Sequence, residues 1–370
     1  MASTYNFTVR AEDDQGAFAD RDFSIVVKNT SVDRYMVVDA TDAYTSPDMV
    51  NWTKRGSQGG RTVYYGGGQW IIPYGTNGSL TYRLSNDGVT FSNQTINIVV
   101  GSGTPTIKHD PVWNSGYWWV MVTGNIDGIP QNALLKSSDG INWILCVKSP
   151  NTHLNVNFAK PSFHDGYIYY SPSTTSPTGY YKIDMSLVDH SITANQLIPI
   201  TLPNPSTYGT YNGYAAPRKI NDLWIISLTQ ANGVSMYYST DLITWYLEAS
   251  PMPALANMGS GNKLFDQFTY VNGVIVCHAS FGGASTVGTY IFSDDGRNWV
   301  RRPNSIITGG TTIAGQRSNV VMTKGKTYFV SAGHFSASSD LGETGLDVAS
   351  DPAVASQFPI PTIGGFAAIQ

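Results

Sequence analysis

The sequence predicts an all-β fold built from repeated units, and three observations carry this prediction. The first is composition: the 370 residues include 22 Tyr, 9 Trp and 37 Gly, and only 13% are charged, about half the usual share. This balance suits strands joined by tight turns. The second is a seven-residue motif that recurs along the chain. The third is a hairpin signal that returns about every 50 residues.

The recurring motif has the form Ser-x-Asp-x-x-(Asn/Thr)-aromatic. Its five clear copies are Ser46–Trp52, Ser85–Phe91, Ser137–Trp143, Ser239–Trp245 and Ser293–Trp299. Ser and Asp side chains can accept hydrogen bonds from backbone N–H groups of a turn, glycine tolerates positive φ, and the aromatic residue can anchor the returning strand. The sequence therefore predicts a structural, not a chemical, role for the acidic residues Asp48, Asp87, Asp139, Asp241 and Asp295.

The second regularity is a turn of Gly, Asn or Asp followed by a strand rich in aromatic and β-branched residues. Its turns are marked by Gly67, Ser115, Gly166, Asp222, Gly273 and Gly325. A spacing of about 50 residues is that of a four-stranded propeller blade. With two weaker motif copies, at Asp184 and Asp340, the sequence predicts a β-propeller of seven four-stranded antiparallel blades, with six as the alternative. The first blade lacks a hairpin, so its inner strand is expected from Phe23–Val27 or from the C-terminal segment.

Three regions are expected: an N-terminal hairpin over residues 1–32, the propeller over 33–345, and a C-terminal segment over 346–370 that packs on the propeller or on a neighbour. Tyr5–Arg10 and Asp22–Val27 alternate in polarity like two strands, with a loop at 13–16 between them. The pair resembles the closing hairpin of bacterial and phage immunoglobulin-like or cadherin-like domains. A two-stranded hairpin is marginally stable alone, so we expect it to pack on the propeller, to complete a partner's sheet, or to be the remnant of a longer precursor.

Several functions are disfavoured by composition. The net charge is −4 and the longest cationic run is Arg301-Arg302, which argues against nucleic-acid binding. No apolar run reaches membrane-spanning length, and the N-terminus lacks the regions of a signal peptide. The six histidines show no metal-ligand spacing, and Cys146 and Cys277 lie in apolar runs as expected for buried thiols. No metal site and no cofactor are predicted.

The motif copies resemble the Asp-box turns of sialidase-type propellers. Ser46–Trp52 and Ser239–Trp245 are also similar to blade turns of five-bladed glycoside hydrolases of the arabinanase and invertase type. This resemblance covers about residues 33–345. With these motifs, the N-terminal hairpin and the high content of Asn, Thr and Gly, the chain is most similar to propeller-bearing structural and adhesion proteins of bacteriophage tails. The resemblance implies a virion protein that contacts other tail subunits through its hairpin and that displays the propeller to a host-surface glycan.

The candidate functional residues open successive blades, where inner strands surround the axial funnel of a propeller. They are Arg61, Asp110, Lys160, Asp266 and Arg317. They are expected to converge on one mouth, where they bind a ligand or pair with one another. Trp113, Trp118 and Trp119 are nearby as sugar-stacking or core residues. His109-Asp110-Pro111 resembles the stretch that holds the general base in arabinanase-type enzymes.

An enzyme would need a second carboxyl group as proton donor. The glutamates are Glu12, Glu248 and Glu343, and none of them opens a blade. The leading hypothesis is therefore a non-enzymatic virion protein with an interaction or glycan-adhesion propeller. A glycoside hydrolase that uses Asp110 is the alternative, and a purely architectural subunit is the third possibility.

Overall fold

The computed structural model describes most of the strands and the turns that join them within a blade. The described residues are 2–12, 16, 18–28, 35–39, 41–48, 51–60, 62–74, 81–100, 103–107, 111–126, 129–150, 161–170, 180–187, 198–200, 212–213, 216–230, 233–249, 265–281, 286–310, 319–323, 326–331, 334–338, 340, 347–348 and 365–368. All statements below concern these residues.

The N-terminal hairpin consists of β1 (Ala2–Glu12) and β2 (Phe18–Lys28). The strands pair antiparallel in unbroken register from Ala2↔Lys28 to Glu12↔Phe18. They are longer than the sequence pattern indicated, and no other described strand pairs with either of them. The expected docking of this hairpin stays a prediction.

Three sheets come from the first part of the propeller, and we number them as blades. Blade 1 contains β3 (Tyr35–Val38), β4 (Ala43–Ser46), β5 (Thr53–Lys54) and the C-terminal β33 (Gly365–Ala368); blade 2 contains β6 (Tyr64–Gly66), β7 (Gln69–Pro73), β8 (Thr81–Ser85) and β9 (Ser92–Thr95); blade 3 contains β10 (Asn97–Val100), β11 (Gly103–Ile107), β12 (Val112–Asn114), β13 (Tyr117–Ile126), β14 (Ile129–Ser137) and β15 (Asn142–Pro150).

Four further sheets follow in chain order, with one 3₁₀ turn (Met185–Leu187) inside blade 4. Blade 4 contains β16 (Ser162–His164), β17 (Tyr167–Tyr170), β18 (Tyr180–Asp184) and β19 (Ile198–Ile200); blade 5 contains β20 (Asn212–Gly213), β21 (Arg218–Ile220), β22 (Leu223–Gln230), β23 (Gly233–Ser239) and β24 (Tyr246–Ala249); blade 6 contains β25 (Phe265–Val271), β26 (Val274–Phe281), β27 (Thr286–Ser293) and β28 (Val300–Gly310); blade 7 contains β29 (Asn319–Thr323), β30 (Lys326–Ser331), β31 (His334–Ser338) and β32 (Asp347–Val348).

The sheets follow one another around a ring. Shared apolar clusters join blade 1 to 2, 2 to 3, 3 to 4, 4 to 5 and 5 to 6. Between the remaining neighbours the innermost strands meet: β25 of blade 6 contacts β29 of blade 7, and β29 contacts β33 of blade 1. The strand β33 also contacts β6 of blade 2. Six sheets are made of consecutive strands, and blade 1 is completed by β33, which pairs with β3 from Tyr35↔Ala368 to Val38↔Gly365. The predicted all-β propeller with four-stranded antiparallel blades is confirmed.

The closing strand settles where the inner strand of blade 1 comes from. It is β33 and not Phe23–Val27, which lies in β2 and pairs with β1. Residues 346–370 also supply β32, which pairs with β31 at the edge of blade 7. The two ends of the propeller segment are therefore joined by backbone hydrogen bonds, an arrangement that leaves only short sheet edges.

Aromatic side chains fill the space between blades. Trp118 and Trp119 are at most 2% exposed and face opposite neighbours, one toward blade 2 and the other toward blade 4. Because successive strand residues point to opposite faces, a strand between two blades is apolar on both. These two tryptophans are therefore core residues and not sugar-stacking platforms. Trp113 is partly buried and packs against Trp118, with ring centroids 5.3 Å apart.

The two thiols behave as predicted. Cys146 and Cys277 are both buried, and they lie in different blade interfaces. No helix among the described residues is long and apolar enough to cross a membrane.

Candidate functional site

The seven-residue motif forms a closed turn between the third and fourth strands of a blade. In blade 3, Asp139 Oδ1 accepts hydrogen bonds from the backbone N–H groups of Ile141 and Asn142, both at 2.8 Å, and from the Ser137 hydroxyl at 2.9 Å. Its Oδ2 accepts a bond from Asn142 Nδ2 at 2.9 Å. Both carboxylate oxygens are thus used within the turn, and Gly140 adopts φ +68° as the motif requires.

The other four copies repeat this pattern. Asp48, Asp87, Asp241 and Asp295 each accept a bond from the backbone N–H three residues on, at 2.7 to 2.8 Å, and from the motif serine, at 2.9 to 3.1 Å. The weak copy at Asp184 makes a smaller turn, in which its carboxylate accepts bonds from the backbone and hydroxyl of Ser186. These carboxylates have the partners of structural turn residues.

Hydrogen bonding within the turn stabilises the charged carboxylate. Partial burial would raise the pKa of Asp139, but the N–H groups of Asn142 and Ile141 outweigh it and hold the pKa at about 2. The pKa of Asp295 is about 2 for the same reasons. At the exposed Asp241, hydrogen bonds from Thr244 and Ile243 lower the pKa to about 2. A carboxylic acid that stays ionised to so low a pH is unsuited to donate a proton in catalysis.

The motif turn of blade 3 also forms hydrogen bonds with blade 2. The Tyr82 hydroxyl of blade 2 donates to the carbonyl of Gly140, and Trp143 Nε1 donates to the Tyr82 hydroxyl at 3.1 Å. Gln69 of blade 2 donates to the Asp139 carbonyl at 3.3 Å. Gln69 follows a first-to-second-strand turn, so these turns and the motif turns share one end of the ring, which we call the turn end.

The innermost strands of the blades begin at the opposite end of the ring. Arg61, Asp110, Lys160 and Arg317 lie outside the described residues, and Asp266 lies in β25 with its side chain undescribed. The strands that carry or follow them are β6, β12, β16, β25 and β29, the innermost strands of five different blades. Their convergence on one mouth stays a prediction.

Two of the innermost strands are divided. In blade 3, β11 and β12 both pair with β13, through Ile107↔Val122 and Val112↔Trp119. In blade 5, β20 and β21 both pair with β22. Asp110 belongs to the segment between β11 and β12, and Pro217 to the segment between β20 and β21. A break in the hydrogen-bond ladder between two strands changes the direction of the backbone and of its side chains. Such breaks are common beside functional sites.

One cluster of titratable residues that the sequence did not indicate lies between blades 4 and 5. His164 Nε2 accepts a hydrogen bond from the backbone N–H of Lys219 at 3.2 Å, and Lys219 Nζ lies 2.6 Å from Asp165 Oδ2. The His164 ring packs edge-on against Trp224, with centroids 5.5 Å apart. Burial, helped by the Arg218 charge, lowers the pKa of His164 to about 4. His164 is thus neutral at physiological pH.

The position of His164 had no signal in the sequence. It lies at the end of a short inner strand and meets its partners from blade 5 only because the two blades are neighbours. Among the residues that the structure describes, no three His, Cys, Asp or Glu side chains are grouped as a metal site would need. The cluster is therefore a polar contact between blades.

Comparisons with known proteins give the following result. No protein-family model matches the chain, and no curated protein sequence matches it. Similar solved structures include a GH32 β-fructofuranosidase of Bombyx mori, with 13% identity over 63% of this chain and a TM-score of 0.40. This chain covers 55% of the Bombyx mori chain.

Two further similar structures belong to Bacillus species. The GH43 protein of Bacillus licheniformis has 11% identity over 81% of this chain and 63% of its own, with a TM-score of 0.36. The native arabinanase of Bacillus subtilis has 16% identity over 62% of this chain and 92% of its own, with a TM-score of 0.33. At such identity the similarity concerns the fold alone. The chain is a β-propeller, and its chemistry has to be argued from its own residues.

Proposed function

We propose that the chain is a carbohydrate-directed propeller that binds a glycan at the funnel end of the ring. The observation that supports this is the order of the innermost strands. The charged residues Arg61, Asp110, Lys160, Asp266 and Arg317 stand in or near the innermost strands of five blades. Only 13% of the residues are charged, so five charged residues near innermost strands are more than chance placement would give. Together they would supply the hydrogen-bonding groups that a polar ligand needs.

Binding is favoured over hydrolysis by the described glutamates. Glu12 ends β1 of the N-terminal hairpin, and Glu248 lies in β24, the outermost strand of blade 5. Neither is on an innermost strand. The motif aspartates are committed to their turns, as the pKa values of about 2 for Asp139, Asp241 and Asp295 reflect. The described residues therefore offer no Glu for proton donation at the funnel.

A glycan array of the full chain, alongside an Arg317→Gln variant, tests this proposal. Charge-assisted hydrogen bonds contribute about 1.5–3 kcal/mol, so we expect the variant to bind its glycan at least about tenfold more weakly. Lys54→Gln is the matched control, because Lys54 is a cation on the outermost strand of blade 1 whose side chain is 54% exposed and contacts Asp42. Equal losses in both variants, or no glycan bound by the native chain, would contradict the proposal.

A glycan hydrolase is the second candidate, and the divided inner strand of blade 3 favours it. In sequence, Asp110 comes between the two parts of the innermost strand of blade 3, and Asp266 belongs to β25, the innermost strand of blade 6. Glycoside hydrolysis uses two carboxyl groups. We expect Asp110→Asn and Asp266→Asn each to lower kcat for reducing-sugar release by about 100-fold or more. Asp294→Asn is the control, since Asp294 is an exposed residue of the blade 6 motif turn. Absence of turnover by the native chain across a polysaccharide panel would exclude this candidate.

The virion setting is a narrower form of the binding proposal. It rests on the hairpin of two 11-residue strands, with which no other described strand pairs, because a two-stranded hairpin is marginally stable alone. In that setting the hairpin joins the chain to other tail subunits while the propeller faces the host. Mass spectrometry of purified phage particles would detect the chain at a fixed ratio to known tail subunits. Its absence from such particles would exclude the setting and leave glycan binding untouched.

A further inference from the structure

A pair of stacked tyrosines lies on the outer strands of blade 5, beside the motif turn of blade 6. We call this surface the rim. Tyr238 in β23 and Tyr246 in β24 face each other across the strand pair, with ring centroids 5.5 Å apart and ring planes 21° apart. Tyr246 is 53% exposed, whereas Tyr238 is partly buried against the blade 5–6 core. The inner ring thus supports the outer one, and much of the outer ring is open to solvent.

The next blade adds a cation to this pair. Arg297 belongs to the motif turn of blade 6, and its guanidinium carbon lies 5.2 Å from the centroid of the Tyr238 ring. The backbone of Arg297 is held in place, because its N–H donates to Asp295 Oδ1 at 2.8 Å. The Asp295 carboxylate is itself engaged by Ser293 and Asn298 of the same turn. The rim therefore presents an aromatic face and an arginine, both on rigid strand and turn backbones.

The same positions in other blades show that this arrangement is not needed for folding. The residue before the motif serine always pairs with the residue after the motif aromatic. The other pairs are Thr45↔Thr53, Leu84↔Ser92, Lys136↔Ile144 and Phe292↔Val300. None of these is a pair of aromatics. The turn residue that corresponds to Arg297 is Val89 in blade 2, Ile141 in blade 3 and Ile243 in blade 5. Blades with other side chains at these positions form the same strand pair.

We propose that Tyr246, Tyr238 and Arg297 form a binding site for an acidic carbohydrate on the outer rim of the propeller. The exposed tyrosine ring offers a flat apolar face for a pyranose ring. A guanidinium pairs with a carboxylate through two parallel hydrogen bonds. A sugar that carries a carboxylate, such as a uronic acid, has both features in one residue. This rim site involves none of the funnel residues and adds a second glycan contact to the protein.

Affinity electrophoresis of the native chain through gels that contain polygalacturonate tests the rim site. Fully methyl-esterified polygalacturonate is the matched neutral probe, and polyglutamate is the matched anionic polymer without sugar rings. We expect migration to be slowed strongly by polygalacturonate and weakly by the other two. Equal slowing by polyglutamate would overturn the proposal, since charge alone would then explain binding. No slowing by polygalacturonate would overturn it as well.

Three variants locate the effect. Tyr246→Ala should weaken polygalacturonate binding by about tenfold, the upper part of the range for aromatic contacts, and Arg297→Gln should weaken it while reducing its dependence on salt. Tyr270→Ala is the control, because Tyr270 is a tyrosine of blade 6 that is 48% exposed on the innermost strand. A loss in Tyr270→Ala equal to that in Tyr246→Ala would overturn the assignment.

Thermal unfolding curves of all three variants establish that they fold. The test of the funnel site relies on a different residue, so the two proposals fail separately.

Discussion

The interfaces between blades 2 and 3 and between blades 4 and 5 have the same architecture and different chemistry. Between blades 2 and 3, Trp118, Trp143 and Leu135 are buried together with the titratable Tyr82. Burial raises the pKa of Tyr82 to about 12, against an opposing hydrogen bond from Trp143. Between blades 4 and 5, Tyr169 and Trp224 pack with centroids 4.6 Å apart, beside the titratable His164. The propeller thus tolerates either an apolar or a polar contact between neighbours.

Burial at the blade 2–3 interface stabilises the protein independently of pH, whereas the pH dependence of stability arises at the blade 4–5 interface. An apolar interface contributes through burial and packing, which do not change with pH in the physiological range. An interface with a neutral histidine contributes only while the ring stays uncharged, because burial opposes the charged form. Three experiments test whether the two interfaces respond separately to substitution and to pH.

The largest effect is expected from Trp143→Ala in the blade 2–3 interface. Trp143 is 1% exposed, and its indole N–H donates to the Tyr82 hydroxyl at 3.1 Å. Replacing a buried Trp by Ala leaves a cavity and lowers the free energy of unfolding by about 3–5 kcal/mol. Urea denaturation followed by circular dichroism measures the change. Ile243→Ala is the control, since Ile243 is 76% exposed in a motif turn, and a similar loss there would contradict the account.

Tyr82→Phe removes only the hydroxyl that links Trp143 to the Gly140 carbonyl. One buried N–H and one buried carbonyl then lose a partner, so we expect the free energy of unfolding to fall by about 1–3 kcal/mol. The loss should be the same at pH 5 and pH 8, because the pKa of Tyr82 lies far above this range and the described residues of this interface include no histidine. A loss that grows at the lower pH would show that the two interfaces are not separate in their response to pH.

The smallest effect concerns the pH dependence of the blade 4–5 interface. The pKa of His164 is about 4 in the folded protein, against 6.5 for an ordinary histidine. Between these values the unfolded chain binds the proton more readily, so stability falls as pH is lowered from about 6.5 to about 4 and is unaffected above 6.5. With allowance for the partial exposure of the ring, we expect a loss of about 1–2 kcal/mol.

Urea titrations at several pH values test this window, with His164→Gln as the comparison. Glutamine can accept the Lys219 N–H through its side-chain oxygen and does not titrate, so the slope between pH 6.5 and 4 should disappear in the variant. The motif aspartates interfere little, because their stabilisation is lost mainly between the ordinary carboxyl pKa of 3.8 and the lowered pKa of about 2 of Asp139 and Asp295. An unchanged slope in His164→Gln would assign the pH dependence to another group.

Much of the fold follows from the sequence because its determinants are local. A motif such as Ser137–Trp143 contains its own hydrogen-bond acceptors, its glycine and its anchoring aromatic, so the turn can be recognised from seven residues. The hairpin turns are equally local: Asp165 and Gly166 have φ of 51° and 78°, values that Gly and Asp tolerate better than most residues. Repetition of such local units at blade spacing was sufficient to predict the propeller.

What the sequence by itself determined is the all-β class, the blade period, the turn role of the five motif aspartates, and the burial of Cys146 and Cys277. The tertiary structure decided what depends on contacts between distant residues. The pairing of β33 with β3 joins residues at opposite ends of the chain, and no local pattern distinguishes β33 from another short apolar strand. His164 meets Lys219, and Tyr238 meets Arg297, only across blade boundaries. Local hydrogen bonding fixes the parts, whereas ring closure brings together side chains whose proximity no spacing in the sequence encodes.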